Sequence, residues 1–157
     1  MIRKIFGPGK LTSLRTIGLI LFCYSCTPGS CYDETEAKVK ASFFLSETSA
    51  IEAPDSVTIY GMNTDSLLYN KSTGIRQALL PLDPSTESCT FVIRINGIND
   101  TVTFQYNPYT HFLSKECGYT YYYDLGQPVA TNNIINRITI TKNIITTQSE
   151  ENIRIYY

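Results

Sequence analysis

The sequence has no tryptophan, a single histidine, two methionines and no apolar run that approaches a membrane span. Its most apolar stretch, Ile17-Gly18-Leu19-Ile20-Leu21-Phe22, falls far short of the ~20 residues a helix needs to cross a bilayer. The one Cys-x-x-Cys spacing, Cys23-Tyr24-Ser25-Cys26, falls at the end of the leader and none follows it, which removes a zinc ribbon and a thioredoxin-type site from the domain. No Gly-x-Ser-x-Gly elbow is present. A Ser-His-Asp triad needs only one histidine, so scarcity alone excludes nothing. His111 lies in Asn107-Pro108-Tyr109-Thr110-His111-Phe112 and reads as a surface-loop residue. Gly7-Pro8-Gly9 is the nearest approach to a phosphate loop and falls in a basic leader. Asp33, Glu34 and Glu36 cluster, but without the Asp-x-Asp-x-Asp-Gly spacing of a calcium loop. The expectation is a protein with no catalytic residues, no cofactor and no metal.

What is present begins with location. Arg3, Lys4, Lys10 and Arg15 form a basic region, residues 17–22 a short apolar one, and Tyr24-Ser25-Cys26 closes it with a small residue before a cysteine. That order is the layout of a secretory signal peptide over residues 1–25. The Ser25-Cys26 junction looks like the lipobox of a bacterial lipoprotein, in which Cys26 is acylated and becomes the mature N-terminus. The match is imperfect, because Cys23 stands where leucine is usual and Tyr24 is bulky. An ordinary signal cleaved near Ser25 is the alternative. Residues 26–35 then form a short tether, with Thr27-Pro28-Gly29-Ser30 prone to turn, and residues 36–157 form one domain.

Removing residues 1–25 takes four basic residues and no acidic one. The remaining 132 residues carry 9 Lys+Arg against 14 Asp+Glu, a net charge near −5. That balance argues against a nucleic-acid partner and a polybasic lipid-binding patch. With Cys26 assigned to lipid, Cys31, Cys89 and Cys117 remain, and an exported chain can keep a disulfide. Cys89 shares the apolar face of an alternating run, Cys89-Thr90-Phe91-Val92-Ile93-Arg94-Ile95, and reads as a buried free thiol. Cys31 and Cys117 lie outside the strands and are the better pair.

Period two dominates after residue 36. Expected strands are 37–43, 57–61, 67–69, 78–82, 89–95, 101–106, 118–125, 137–142 and 152–157. Pro81 lacks an N–H and belongs at a sheet edge or strand end. Asn96-Gly97 supplies residues able to take positive φ between the two clearest strands. No stretch shows a sustained helical period. The fold class is all-β: an antiparallel β-sandwich, immunoglobulin-like, of about seven or eight strands, with a small closed barrel as the alternative.

Several spaced fragments together resemble a known family. They are Cys31, Asp65-Ser66-Leu67, Leu80-Pro81-Leu82, Asp100-Thr101-Val102-Thr103-Phe104-Gln105-Tyr106, Ser114-Lys115-Glu116-Cys117-Gly118-Tyr119 and Asn152-Ile153-Arg154-Ile155-Tyr156-Tyr157. They look like a family of small lipoproteins of unknown function from Bacteroidota, in which an early cysteine and a later Cys-Gly recur and a short apolar strand ends the chain. Cys89 has no counterpart in that pattern, so the resemblance supports Cys31 with Cys117 as the bonded pair. It implies an outer-membrane lipoprotein and, because the family has no assigned activity, nothing about chemistry. In some such lipoproteins acidic residues directly after the lipidated cysteine mark transport to the cell surface. Here Thr27-Pro28-Gly29-Ser30 holds those positions, which favours the periplasmic face.

Tyr119, Tyr121 and Tyr123 share one face of a strand and Tyr122 takes the other. Exposed, the odd set would make a stacking platform for a glycan or small ligand; the absence of tryptophan counts against a glycan. Asn70-Lys71-Ser72 and Asn99-Asp100-Thr101 match the glycosylation acceptor pattern, which carries no weight in a bacterial lipoprotein. The leading functional expectation is a non-enzymatic, lipid-anchored module that binds or scaffolds another envelope protein, such as an outer-membrane barrel. A ligand-binding module using the tyrosine strand is the alternative.

Overall fold

A computed structural model describes residues 31–157 apart from Asp65. The signal peptide, Cys26 and the first half of the tether lie outside the described residues. The strands are β1 (Lys38–Phe44), β2 (Val57–Gly61), β3 (Leu67–Ser72), β4 (Gln77–Pro81), β5 (Ser88–Ile95), β6 (Ile98–Ser114), β7 (Gly118–Leu125), β8 (Val129–Ala130), β9 (Arg137–Ile140), β10 (Ile144–Ile145) and β11 (Ile153–Tyr156). Among the described residues there is no helix, so none is long and apolar enough to cross a membrane.

Two sheets pack face to face as a β-sandwich. The smaller runs β4-β1-β11-β9; the larger runs β10-β7-β6-β5-β2-β3, with β8 beside β6. Alternation explains the core. Val39, Ala41 and Phe43 of β1, Leu80 of β4 and Ile153 and Ile155 of β11 meet Val57, Ile59, Ile93, Ile95, Val102 and Phe104 of the larger sheet, all buried. Each large apolar side chain fully removed from water contributes about 1.5–3 kcal/mol before entropy is counted. Asn96 and Gly97 both take positive φ, 50° and 89°, and close the β5–β6 hairpin as their types demand. Pro81 ends β4, an edge strand, where its missing N–H costs no ladder bond.

Three features differ from the sequence reading. Among the described residues there are eleven strands, since β8 and β10 are two-residue elements too short to show a period. The sheets are not wholly antiparallel: β1 pairs in parallel with β11, Ala41 opposite Ile153 through Phe44 opposite Tyr156. The expected strand 101–106 is one part of β6, which continues through Asn107-Pro108-Tyr109-Thr110-His111-Phe112 to Ser114. His111 is therefore exposed on a strand and not in a loop. Pairing with β5 ends at Ser88 opposite Gln105, so beyond that point β6 has β7 as its ladder partner and a free second edge. A proline is tolerated there.

Candidate functional site

The last half of β6 and the first half of β7 form a two-stranded arm. Its register pairs Tyr109 with Tyr122, Thr110 with Tyr121, His111 with Thr120 and Phe112 with Tyr119. β10 reaches β7 only at Tyr123 and Asp124, so residues 118–122 have no ladder partner beyond β6. Cross-strand residues share a face, which places Phe112, Tyr119 and Tyr121 on the core-facing side but past the end of the core. Tyr119 is 74% exposed, Phe112 49% and Tyr121 44%. Phe112 meets Tyr119 edge-on at 5.2 Å, while His111 stacks on Tyr122 at 4.2 Å on the opposite face.

Tyr123 goes elsewhere. It is buried, packs at right angles to Tyr106 at 5.4 Å and donates its hydroxyl proton to the Leu82 carbonyl. The three tyrosines expected as one platform are thus split between surface and core, and Tyr119 and Tyr121 alone are displayed. The period was right; where the opposing sheet stops decides which rings it covers.

The arm ends in a tight turn, Lys115-Glu116-Cys117, where the Cys117 N–H donates to Ser114 Oγ and Gly118 takes φ 73°. Cys31 and Cys117 are joined by a disulfide. Residues 31–35, the described part of the tether, form no strand, and the Thr120 hydroxyl of the arm donates to the Thr35 carbonyl. Glu36 pairs with Lys38 at 2.7 Å, so the acidic start of the domain is already partly neutralised. Among the described residues no three His, Cys, Asp or Glu side chains come together as a metal site needs.

Cys89 is a half-buried free thiol against the core, as its strand phase implied. Burial pushes it up to about 11, only partly offset by a hydrogen bond with Tyr106, so it is protonated at neutral pH and a poor nucleophile. It borders a cavity of about 380 Å³ at the edge of the sandwich, lined also by Met62, Leu68, Pro81 and Phe91. Beside it, Leu79 donates its backbone N–H to the Tyr69 hydroxyl, tying the edge strand of one sheet to that of the other. Met62, Leu68 and Leu79 are all exposed there, and Leu67 is exposed as well. Adjacent Leu67 and Leu68 were the available signal, since alternation forces one of two neighbouring leucines off the core.

Asp100, which no sequence motif marks as a site, is the most buried charge among the described residues, 1% exposed. Its phase with Val102, Phe104 and Tyr106 puts it on the core face of β6. One carboxylate oxygen accepts from the Thr131 hydroxyl and the Asn133 N–H, the other from the Ile134 and Ile135 N–H groups, both at 2.8 Å. Burial alone would raise this carboxyl, but these donors outweigh it and hold it below the usual carboxylate range. Three successive backbone donors form an anion nest filled by the protein's own side chain, so this charge organises a loop and is not offered to a ligand.

The chain is therefore an all-β sandwich with an edge groove and a disulfide-tipped aromatic arm. It belongs to a family of unknown function, DUF6452, whose model matches residues 56–157, from just before β2 to the C-terminus. That span includes Cys117 and the arm but neither β1 nor Cys31, so it is shorter than the resemblance read from the sequence. No curated protein and no solved structure matches the chain.

Proposed function

We propose that this is a lipid-anchored envelope lipoprotein of the Bacteroidota type, held through Cys26 at the periplasmic face of the outer membrane, and that it binds or scaffolds another envelope protein without catalysis. The observation that carries the partner is the edge groove: Met62 and Leu68 line the apolar cavity, and Leu68 and the exposed Leu79 line the adjoining cleft between two edge strands. Contiguous apolar surface of this kind on a small domain marks an interaction site. An outer-membrane barrel is a fitting occupant, since it shares the membrane. The Cys89 thiol is protonated and the His111 ring is stacked on Tyr122, which supports a non-enzymatic reading. The splitting of Tyr119 and Tyr121 from Tyr123 weakens the alternative of a ligand platform on the tyrosine strand.

Fatty-acid labelling tests the anchor: label is expected on the exported protein and absent from Cys26→Ser. A photo-crosslinker placed at Leu68 in cells tests the partner. One recurring protein adduct is expected, and the same crosslinker with Leu79→Asp should lose it. No adduct, or an adduct indifferent to Leu79→Asp, overturns the groove as the docking site.

A further inference from the structure

We infer that the aromatic arm lies against the membrane surface, with Phe112, Tyr119 and Tyr121 seated at the level of the lipid headgroups. This rests on the lipid anchor at Cys26 proposed above. The first argument is covalent. Cys31 follows Cys26 by five positions, and a chain that short spans at most about 18 Å. Cys31 is bonded to Cys117 in the turn at the tip of the arm. A disulfide adds about 6 Å between Cα atoms, so the tip stays within roughly 24 Å of the lipidated residue whatever path the tether takes.

The second argument is the distribution of exposed rings. Among the described residues the exposed large aromatics are Tyr32, Tyr109, Phe112, Tyr119 and Tyr121. Four are on the arm and the fifth follows Cys31 directly, so every one is on the arm or beside the tethered residue. No further strand pairs with the arm, and only Tyr121, at its base, borders a cleft with Pro81 and Pro84 of the opposing edge. Tyrosine and phenylalanine suit the interface, where a ring body meets acyl chains and a hydroxyl meets headgroups. The tip carries Lys115 and Glu116, and Asp33 and Glu34 lie close in sequence to Cys31, so there is no basic cluster to demand anionic lipid. Charge gives no help, since these residues sum to about −2 and mildly oppose an anionic surface, so the rings and the lipid must carry the contact. The lipid supplies attachment, and the rings set orientation, leaving the Ile98 end of β6 turned away. At about 3.3 Å per residue the 17-residue strand holds that end on the order of 50 Å from the tip.

The absence of tryptophan makes the test clean, because one introduced indole is the only one. Lipidated protein carrying Tyr119→Trp, Phe112→Trp or, as control, Ile98→Trp is reconstituted into phosphatidylethanolamine–phosphatidylglycerol vesicles with and without brominated phosphatidylcholine. All three positions are exposed, so the substitutions leave the core intact. The expected result is about two-fold quenching and a blue shift at 119 and 112 and none at 98. Adding Cys117→Ala should bring the quenching at 119 toward the control. Co-flotation with the vesicles is read separately. Protein that floats but shows equal quenching at 98 and 119, or none at either, overturns the arm's placement while the anchor stands. Protein that does not float overturns the anchor and this placement with it. Rings protected by a bound protein in cell envelopes but unquenched in vesicles would also overturn it.

Discussion

Asp100→Asn removes one charge at constant shape and should be among the most damaging single substitutions in the domain. The carboxylate takes four hydrogen bonds, two on each oxygen. An amide keeps one accepting oxygen and turns the other into a donor, so whichever way it is placed two donors lose their acceptor and face an NH₂ group. Each orphaned donor costs ~1–2 kcal/mol, and the pair should lower stability by about 2–4 kcal/mol. In a domain of this size that is roughly 8–16 °C in Tm. The pH dependence is a second signature. The folded carboxyl is held below its ordinary value, so the folded state binds this proton less readily than the unfolded chain does. Its contribution is complete above the unfolded value near ~3.9 and is lost as pH falls through the lower folded value. The gap between the natural protein and Asp100→Asn should therefore be full at neutral pH and narrow below about pH 4. Urea unfolding followed by the near-ultraviolet signal of the tyrosines measures both. A gap under ~0.5 kcal/mol, or one unchanged at pH 3, would refute the nest as a stabilising element.

Other outcomes follow from the same structure. Replacing Cys31 or Cys117 opens a loop of about 86 residues and should cost about 2–5 kcal/mol in urea unfolding, with reduction of the natural protein giving the same loss. Cys89→Ala should cost less than either, and Cys89 should react with iodoacetamide slowly at neutral pH and faster toward pH 11, where burial has moved its ionisation. Rapid neutral alkylation of folded protein would contradict that. Tyr123→Phe keeps the ring packing and loses the bond to Leu82, so a loss of about 1 kcal/mol is expected, against none for Tyr119→Phe at the exposed end of the same face. Equal effects at the two positions would mean that the split between core and surface has been misassigned.

Much of the sandwich is legible from residues alone, because alternation is a local property. Cys89 to Ile95 and Val102 to Tyr106 declare their inner faces, Asn96-Gly97 declares the turn, Pro81 an edge, and the phase of Cys89 leaves Cys31 and Cys117 to pair. What alternation cannot report is whether a face, once defined, is covered. Tyr119, Tyr121 and Tyr123 have one phase and two fates, because the smaller sheet ends between them. Asp100 looks like a turn residue until the loop from Thr131 to Ile135, some thirty residues later, brings its donors to it. The parallel pairing of β1 with β11 joins segments more than 100 residues apart, and β8 and β10 are too short to carry a period. Pro108 and His111 look like loop residues by type, yet a strand with one free edge accepts both. Local pattern thus determined which residues face inward, and long-range pairing alone decided which of them found something to face.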